Sequence, residues 1–301
     1  MRFPLKRFIH NRLITAYVIL AVFTPIASMA CVISTPRTLI WEVSGNGLKS
    51  PSYVFGTIHA LCPEEFVVPE LVKKRLQETE QLSLEVDMDA PNFMAELMQS
   101  ATLPAGKTLS TMLKPEDYNL LAQHLANTMQ LDLKMFDNMK PFMLQSLLLS
   151  QLTECKAVSY EQRLIEMAHA QGKEVIGVET IREQLAAMDR LPQQMQTDML
   201  VKTVKDMSAA RASYLEMVKL YLAQDLDGLT DITKEDLTPE EYTLYEETFL
   251  VARNMRWIPV IEREAKAKPT FFAVGAGHLG GEQGVLELLR RKGYTVKPIL
   301  E

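Results

Sequence analysis

The 301-residue chain lacks an apolar run long enough for a membrane helix, lacks a basic patch, and has only three cysteines. Its one strongly apolar stretch, Leu13–Phe23 (LITAYVILAVF), covers roughly eleven residues, against the about 20 that a bilayer span needs. No later segment is apolar enough to cross. A formal charge of −6, without clustered Lys or Arg, argues against a nucleic-acid partner, which demands a basic footprint. There is no low-complexity linker and no tandem repeat, so solenoids and strings of small modules are set aside.

The start of the chain reads as a targeting segment. Arg2, Lys6, Arg7 and Arg12 precede the apolar run, Pro25 ends it, and Ser28-Met29-Ala30 supplies small residues for cleavage. Residues 1–30 are therefore expected to be a signal peptide, with an N-terminal anchor as the alternative, and 31–301 a single domain. Removing residues 1–30 takes away four basic and no acidic residues, leaving a formal charge of −10. An exported, periplasmic protein or a membrane-anchored lipoprotein is expected. Cys31 directly follows Ala30, where lipoprotein processing would make it the lipidated N-terminus and a membrane tether. Setting it aside leaves Cys62 and Cys155 to pair in an oxidising compartment, or else to remain as buried thiols.

Along the mature chain the pattern is α/β. TLIWEV (Thr38–Val43) and YVFG, on either side of a Gly/Asn/Pro/Ser-rich turn, read as an N-terminal β-hairpin. Strand-like runs follow near 82–87, 174–178, 270–275 and 294–299, with helical patterns between them. The expected fold is a central, mostly parallel β-sheet with a large helical lobe at about 90–170 and 190–265. Many of the lobe's methionines are expected in its core. Thr238-Pro239-Glu240-Glu241 opens a long helix toward Ala267 that Pro259 should kink.

Two strands end in the same way: Gly56-Thr-Ile-His59 and Gly275-Ala-Gly-His278. In parallel sheets ligands collect outside the carboxyl ends of the strands, so two such ends on neighbouring strands would aim both imidazoles into one crevice. Two structurally satisfied histidines are the alternative. Glu85 lies among apolar neighbours in LSLEVD, and a buried glutamate is costly unless paired or metal-bound. Glu179 ends VIGVE in the same strand-end setting. Glu161 starts a helix, where a first-turn glutamate commonly just complements the helix dipole. His124 and His169 sit in amphipathic helical patterns and read as surface residues.

The blocks YVFGTIHALCPEEF, LSLEVDMD, SYEQRL, MAHAQGKEVIGVET, LVARNMRW and FFAVGAGHLGGEQGVLELLRRKGYTV resemble, in that order, the TraB/GumN family. The resemblance implies kinship with the Tiki proteins, membrane-tethered metal-dependent proteases with paired Gly-x-x-His motifs, and more remotely with the erythromycin esterase and ChaN-like group. It places family motifs on Gly56 and His59, Glu85, Arg253 and Asn254, and Gly275 and His278, with Glu179 and Gln184 in a further matching block. The implied function is metal-dependent hydrolysis of a peptide or small-molecule substrate. His59, Glu85 and His278 would hold Mn²⁺, Co²⁺ or Zn²⁺, with Glu179 as base or support. Arg253 and Asn254 would hold substrate, unless Arg253 is just a helix-surface ion pair. Two alternatives stand beside it: metal-free His/Glu acid–base hydrolysis, and a non-catalytic exported protein carrying a metal or haem. Joint ligation requires the two histidine nitrogens to lie roughly 3–3.5 Å apart. Alanine at either histidine is expected to abolish activity and leave the melting temperature nearly unchanged.

Overall fold

β-Branched and aromatic residues bounded by turn residues form six strands: β1 Ile40–Ser44, β2 Ser52–Thr57, β3 Gln81–Val86, β4 Glu174–Glu179, β5 Thr270–Gly275 and β6 Thr295–Pro298. They are seen in a computed structural model that describes residues 36–235 and 237–300. The expected signal peptide and Cys31 lie outside the described residues. β1 and β2 form the hairpin, with Trp41 opposite Val54. Its turn runs through Gly45, Asn46 and Gly47, all at positive φ, where only glycine and asparagine sit without strain.

The sheet order is β4-β3-β5-β2-β1-β6. β2, β5, β3 and β4 are mutually parallel, while β1 runs antiparallel to both of its neighbours. All residues of β2 and β3 are buried, which requires cover on both faces of the sheet. The helices Tyr160–Ala170 and Ala252–Ala267 pack against the parallel strands, and Phe271, Phe272, Leu82, Leu84 and Trp257 are among the residues that fill the core. Pro298 occupies the edge strand, where its missing N–H breaks no inner ladder.

The helical lobe has a separate apolar core of leucines from distant segments, including Leu109, Leu121, Leu125, Leu144, Leu148 and Leu200. The expectation that methionines build this core is overturned. Met94, Met98, Met135 and Met255 are exposed, and Met129, Met139 and Met143 sit at half-buried margins. Leucine at helical spacing already supplies most of the interior, and apart from the buried Met195 the flexible thioethers are left to the rim.

Thr238 and Glu241 form the expected capping box, with Pro239 in the first turn. The helix Pro239–Tyr245 then runs into a π-helical turn, Glu246–Val251, and on through Pro259 in the helix Ala252–Ala267. That π-turn immediately precedes Arg253 and resets the phase of the helix face it sits on.

Candidate active site

Because β2, β5, β3 and β4 are parallel neighbours, their carboxyl ends share one edge of the sheet. His59 follows β2 by two residues, Glu85 is next to last in β3, Glu179 ends β4, and Gly275 ends β5 before a 3₁₀ turn that carries His278. The two glycines serve close approach rather than an unusual φ. A Cβ on Gly275 would sit 3.0 Å from Glu85 Oε1, the oxygen that accepts the Gly275 N–H at 2.8 Å. A Cβ on Gly56 would come within 2.9–3.1 Å of Leu279 and Ala276, in the turn that carries the second histidine. One glycine thus admits the carboxylate, and the other lets the two strand ends pack together.

Arg253 is the hub behind these ends. Its Nε donates to Glu179 Oε1 at 2.9 Å, Nη2 to Glu179 Oε1 at 2.5 Å and Glu85 Oε2 at 2.6 Å, and Nη1 to Phe249 O at 3.2 Å and His278 Nε2 at 3.0 Å. A guanidinium has five N–H groups, and all are committed. Since arginine only donates, His278 Nε2 must accept, so the ring proton sits on Nδ1 and is donated to Asn254 Oδ1 at 2.7 Å. Asn254 in turn donates from Nδ2 to Gln283 O at 2.9 Å. His278 is buried against Trp257, with ring centroids 4.3 Å apart, and burial together with the nearby guanidinium lowers its pKa to about 3. It is a neutral imidazole with both nitrogens in use. Burial alone would raise the pKa of Glu85, but Arg253 and the Gly275 N–H outweigh it and bring it down to about 2. Gln184 Nε2 adds a further bond to Glu85 Oε2 at 3.0 Å.

His59 is the opposite case. Its side chain is 73% exposed and lines a cavity of ≈350 Å³ together with Glu85, Glu161, Gln162 and Gln184. Its Nδ1–H meets Glu161 Oε1 at 3.0 Å, and its Nε2 has no hydrogen-bond partner among the described residues. Glu161 is buried and fully ordered by its neighbours: Thr57 Oγ1 donates to Oε1 at 2.7 Å, and Ser159 Oγ to Oε2 at 2.6 Å. The hydrogen bond to Glu161, with the charge of that carboxylate, raises the His59 pKa to about 9. An NMR titration should therefore find the His59 ring titrating well above the ordinary histidine value of 6.5. Glu161→Gln should bring it back toward that value; an unchanged pKa in the variant would show that Glu161 is not the cause.

The expected sites therefore separate. Glu85, Glu179, Arg253, Asn254 and His278 form one buried network, and His59 stands in the neighbouring open cavity that Glu85 also lines. Arg253 and Asn254 have their polar side-chain groups bonded within this network among the described residues. His278 is a packed, doubly bonded core residue, so His278→Ala is expected to lower the melting temperature rather than leave it unchanged. His59, Glu85 and His278 do not fit a divalent metal: among the described residues no three ligating side chains converge, the His278 lone pair is taken by Arg253, and both Glu85 oxygens are bonded. Glu161 is the residue that sequence reasoning underrated. Its signal was the block SYEQRL, and its first-turn position hid it among ordinary helix-start glutamates. Cys62 and Cys155 do form a disulfide, with Cα atoms 5.6 Å apart, which joins the loop after His59 to the segment before Glu161.

Residues 39–298 match the model of the TraB/PrgY/gumN family. Among curated proteins the chain is similar to the metalloprotease TIKI2 of Danio rerio, at 24% identity over 87% of this chain and 61% of that protein. It is similar to the metalloprotease TIKI1 of Danio rerio at 24% identity, over 91% of this chain and 66% of that protein. The metalloprotease TIKI1 of Homo sapiens is 25% identical over 87% of this chain and 62% of that protein. The chain thus spans about three fifths to two thirds of the length of these relatives. No solved structure matches it significantly.

Proposed function

We propose that this chain, which belongs to the TraB/PrgY/gumN family, is an exported hydrolase of peptide-like amide bonds with His59 and Glu161 as its acid–base pair. The observation that carries this reading is the His59 imidazole. One nitrogen is fixed on a buried carboxylate, and the other is open to a cavity at the carboxyl ends of parallel strands. A base oriented by a third group is the recurrent arrangement for moving a proton to and from a reacting centre. Neutral His59 takes a proton from a water at Nε2, and Glu161 stabilises the imidazolium that forms. The hydroxide adds to the amide carbonyl carbon. His59 then returns the proton to the leaving nitrogen as the carbon–nitrogen bond breaks, giving an acid and an amine. Gln184 lines the cavity with one N–H on Glu85 and the second uncommitted among the described residues, so it is positioned to face the developing oxyanion.

The relatives' description as metalloproteases favours a second reading in which hydrolysis needs a metal. A carboxylate behind a histidine, as Glu161 stands behind His59, also recurs at metal centres. Purified protein assayed against a peptide library, after chelation and with added Mn²⁺, Co²⁺ or Zn²⁺, separates the two readings. Activity that survives chelation supports the acid–base reading, activity restored by metal alone supports the second, and no cleavage in any arm removes both. His59→Ala is expected to lower kcat/KM by about 10²–10⁴-fold, with little change in melting temperature because the ring is exposed. With His59 acting as the base, activity should rise with pH toward about 9, where the ring becomes neutral.

Export is supported by the basic, apolar and small-residue order of the first thirty residues and by the paired cysteines. Lipidation at Cys31 is part of the same proposal. An intact mass showing an unmodified N-terminus at Cys31 or Val32 would leave simple export.

A further inference from the structure

We infer that Arg253 is the resident cation of this centre: His278 and Asn254 are positioning residues that hold its guanidinium between Glu85 and Glu179, where the paired-histidine pattern would set a divalent metal. Every donor of the guanidinium is bonded, while Glu179 Oε2 is buried without a hydrogen-bond partner among the described residues, with Arg256 Nη2 standing 3.7 Å away. All five guanidinium N–H groups are used, on two carboxylates, one imidazole and one main-chain carbonyl. The carbonyl is that of Phe249, inside the π-helical turn Glu246–Val251, so the irregular turn supplies the fifth contact. The imidazole is held as an acceptor because Asn254 takes its other proton, and Asn254 is fixed by the Gln283 carbonyl. The guanidinium also stacks on Trp257, 4.7 Å from the ring centroid. Arg253 and both carboxylates are buried, although Glu85 also lines the open cavity beside His59.

The consequence lies in how the cavity is held. Arg253 fixes one oxygen of Glu85 and Gly275 the other, so a fixed carboxylate wall stands beside His59, sharing its one guanidinium with Glu179 and so keeping part of its negative charge. The inference rests on the proposed function only in taking that cavity as the working site; the bonding and its test are independent of turnover.

The test uses the purified chain and needs no substrate. Melting temperature is followed with Mn²⁺, Co²⁺ or Zn²⁺ alone, in the wild type and in Arg253→Ala, and the variant is also given millimolar guanidinium. The expected result is no metal response in the wild type and, in the variant, a melting temperature raised by guanidinium. If the variant does not fold, the wild type still decides by ¹⁵N NMR of His278, expected as the neutral Nδ1–H tautomer with an Nε2 shift that diamagnetic Zn²⁺ leaves unchanged. A metal-dependent rise in the wild type that His278→Ala removes, stoichiometric metal co-purifying at this centre, or a ligation shift of His278 Nε2 with Zn²⁺ would each overturn the inference. A chain that cleaves no peptide yet passes this test loses the hydrolase reading and keeps Arg253 as its cation.

Discussion

Arg253→Met is expected to destabilise the fold by roughly 3–5 kcal/mol, the range for removing one partner of a buried ion pair. The methionine would fill much of the space, so the loss comes from charge rather than volume. Glu85 and Glu179 are both buried and both lean on this guanidinium, at 2.6 and 2.5 Å. Arg256 does not replace it: its Nη2 stands 3.7 Å from the other Glu179 oxygen and contacts Glu85 in no way that the structure records. Adding Glu85→Gln and Glu179→Gln to the variant should recover part of the loss, because neutral amides need no counter-charge. Arg263→Met, an exposed position on the same helix, should change stability by about 0.5 kcal/mol or less. Urea unfolding of the four proteins gives the comparison, and a loss below 1 kcal/mol for Arg253→Met would mean that the network is solvated in solution.

The pH dependence has a definite sign. Glu85 is depressed from an ordinary 4.5 to about 2, so the stability it contributes is fully present above about 4.5 and is lost as pH falls through about 2. Without the guanidinium, burial is left to raise that pKa. The acid limb of the Arg253→Met stability profile should therefore begin at higher pH than in the wild type. His59 runs the other way: its pKa is raised, so what the pair with Glu161 adds is present below the ordinary histidine range and fades as pH passes about 9.

The strand ends were legible in the sequence because alternation, apolar runs and glycine are local signals. TLIWEV, YVFG, LSLEV, VIGVE and FFAVG all became strands, and Glu85 could be picked out as a carboxylate among apolar neighbours that would need a partner. The identity of that partner was not legible. Arg253 lies on a helix preceded by a π-turn, and one extra residue in the turn rotates the face that a regular 3.6-residue pattern assigns. Helical periodicity therefore could not tell a substrate-facing arginine from a buried hub. Nor could it tell His59 from His278. Both follow a glycine by three residues, but one loop leaves its ring 73% exposed and the 3₁₀ turn at the other folds its ring inward against Trp257. Glu161 was hidden because a glutamate in the first turn of a helix has an ordinary explanation, and its tie to Thr57, 104 positions away, is a tertiary fact.

Removing the disulfide by Cys62→Ala with Cys155→Ala is expected to lower stability by about 2–5 kcal/mol and leave catalysis within a few-fold of wild type. The bridge closes a loop across 93 positions, and the chain-entropy relation gives about 4.7 kcal/mol for a loop of about 100 residues. Most of that acts on the unfolded chain, because the folded ends are held by other bonds. Leu61, next to Cys62, and Val158, shortly after Cys155, exchange both main-chain hydrogen bonds, at 3.0 and 2.8 Å. Tyr160 Oη donates to the Val67 carbonyl at 2.7 Å, and Thr57 and His59 both reach Glu161 directly. The loop so closed contains β3 and the first helices of the lobe, so the unfolded state gains freedom over a third of the chain when the bond is cut. For a domain of this size, at about 2 °C per kcal/mol, the melting temperature should fall by roughly 4–10 °C. Below that transition the His59–Glu161 pair should keep its raised pKa. If activity and the His59 titration collapse while the melting temperature holds, the disulfide is instead setting the geometry of the pair, and the bridge between Leu61 and Val158 is too weak to do so alone. Reduction of the wild-type protein under non-denaturing conditions should give the same two readings without any substitution.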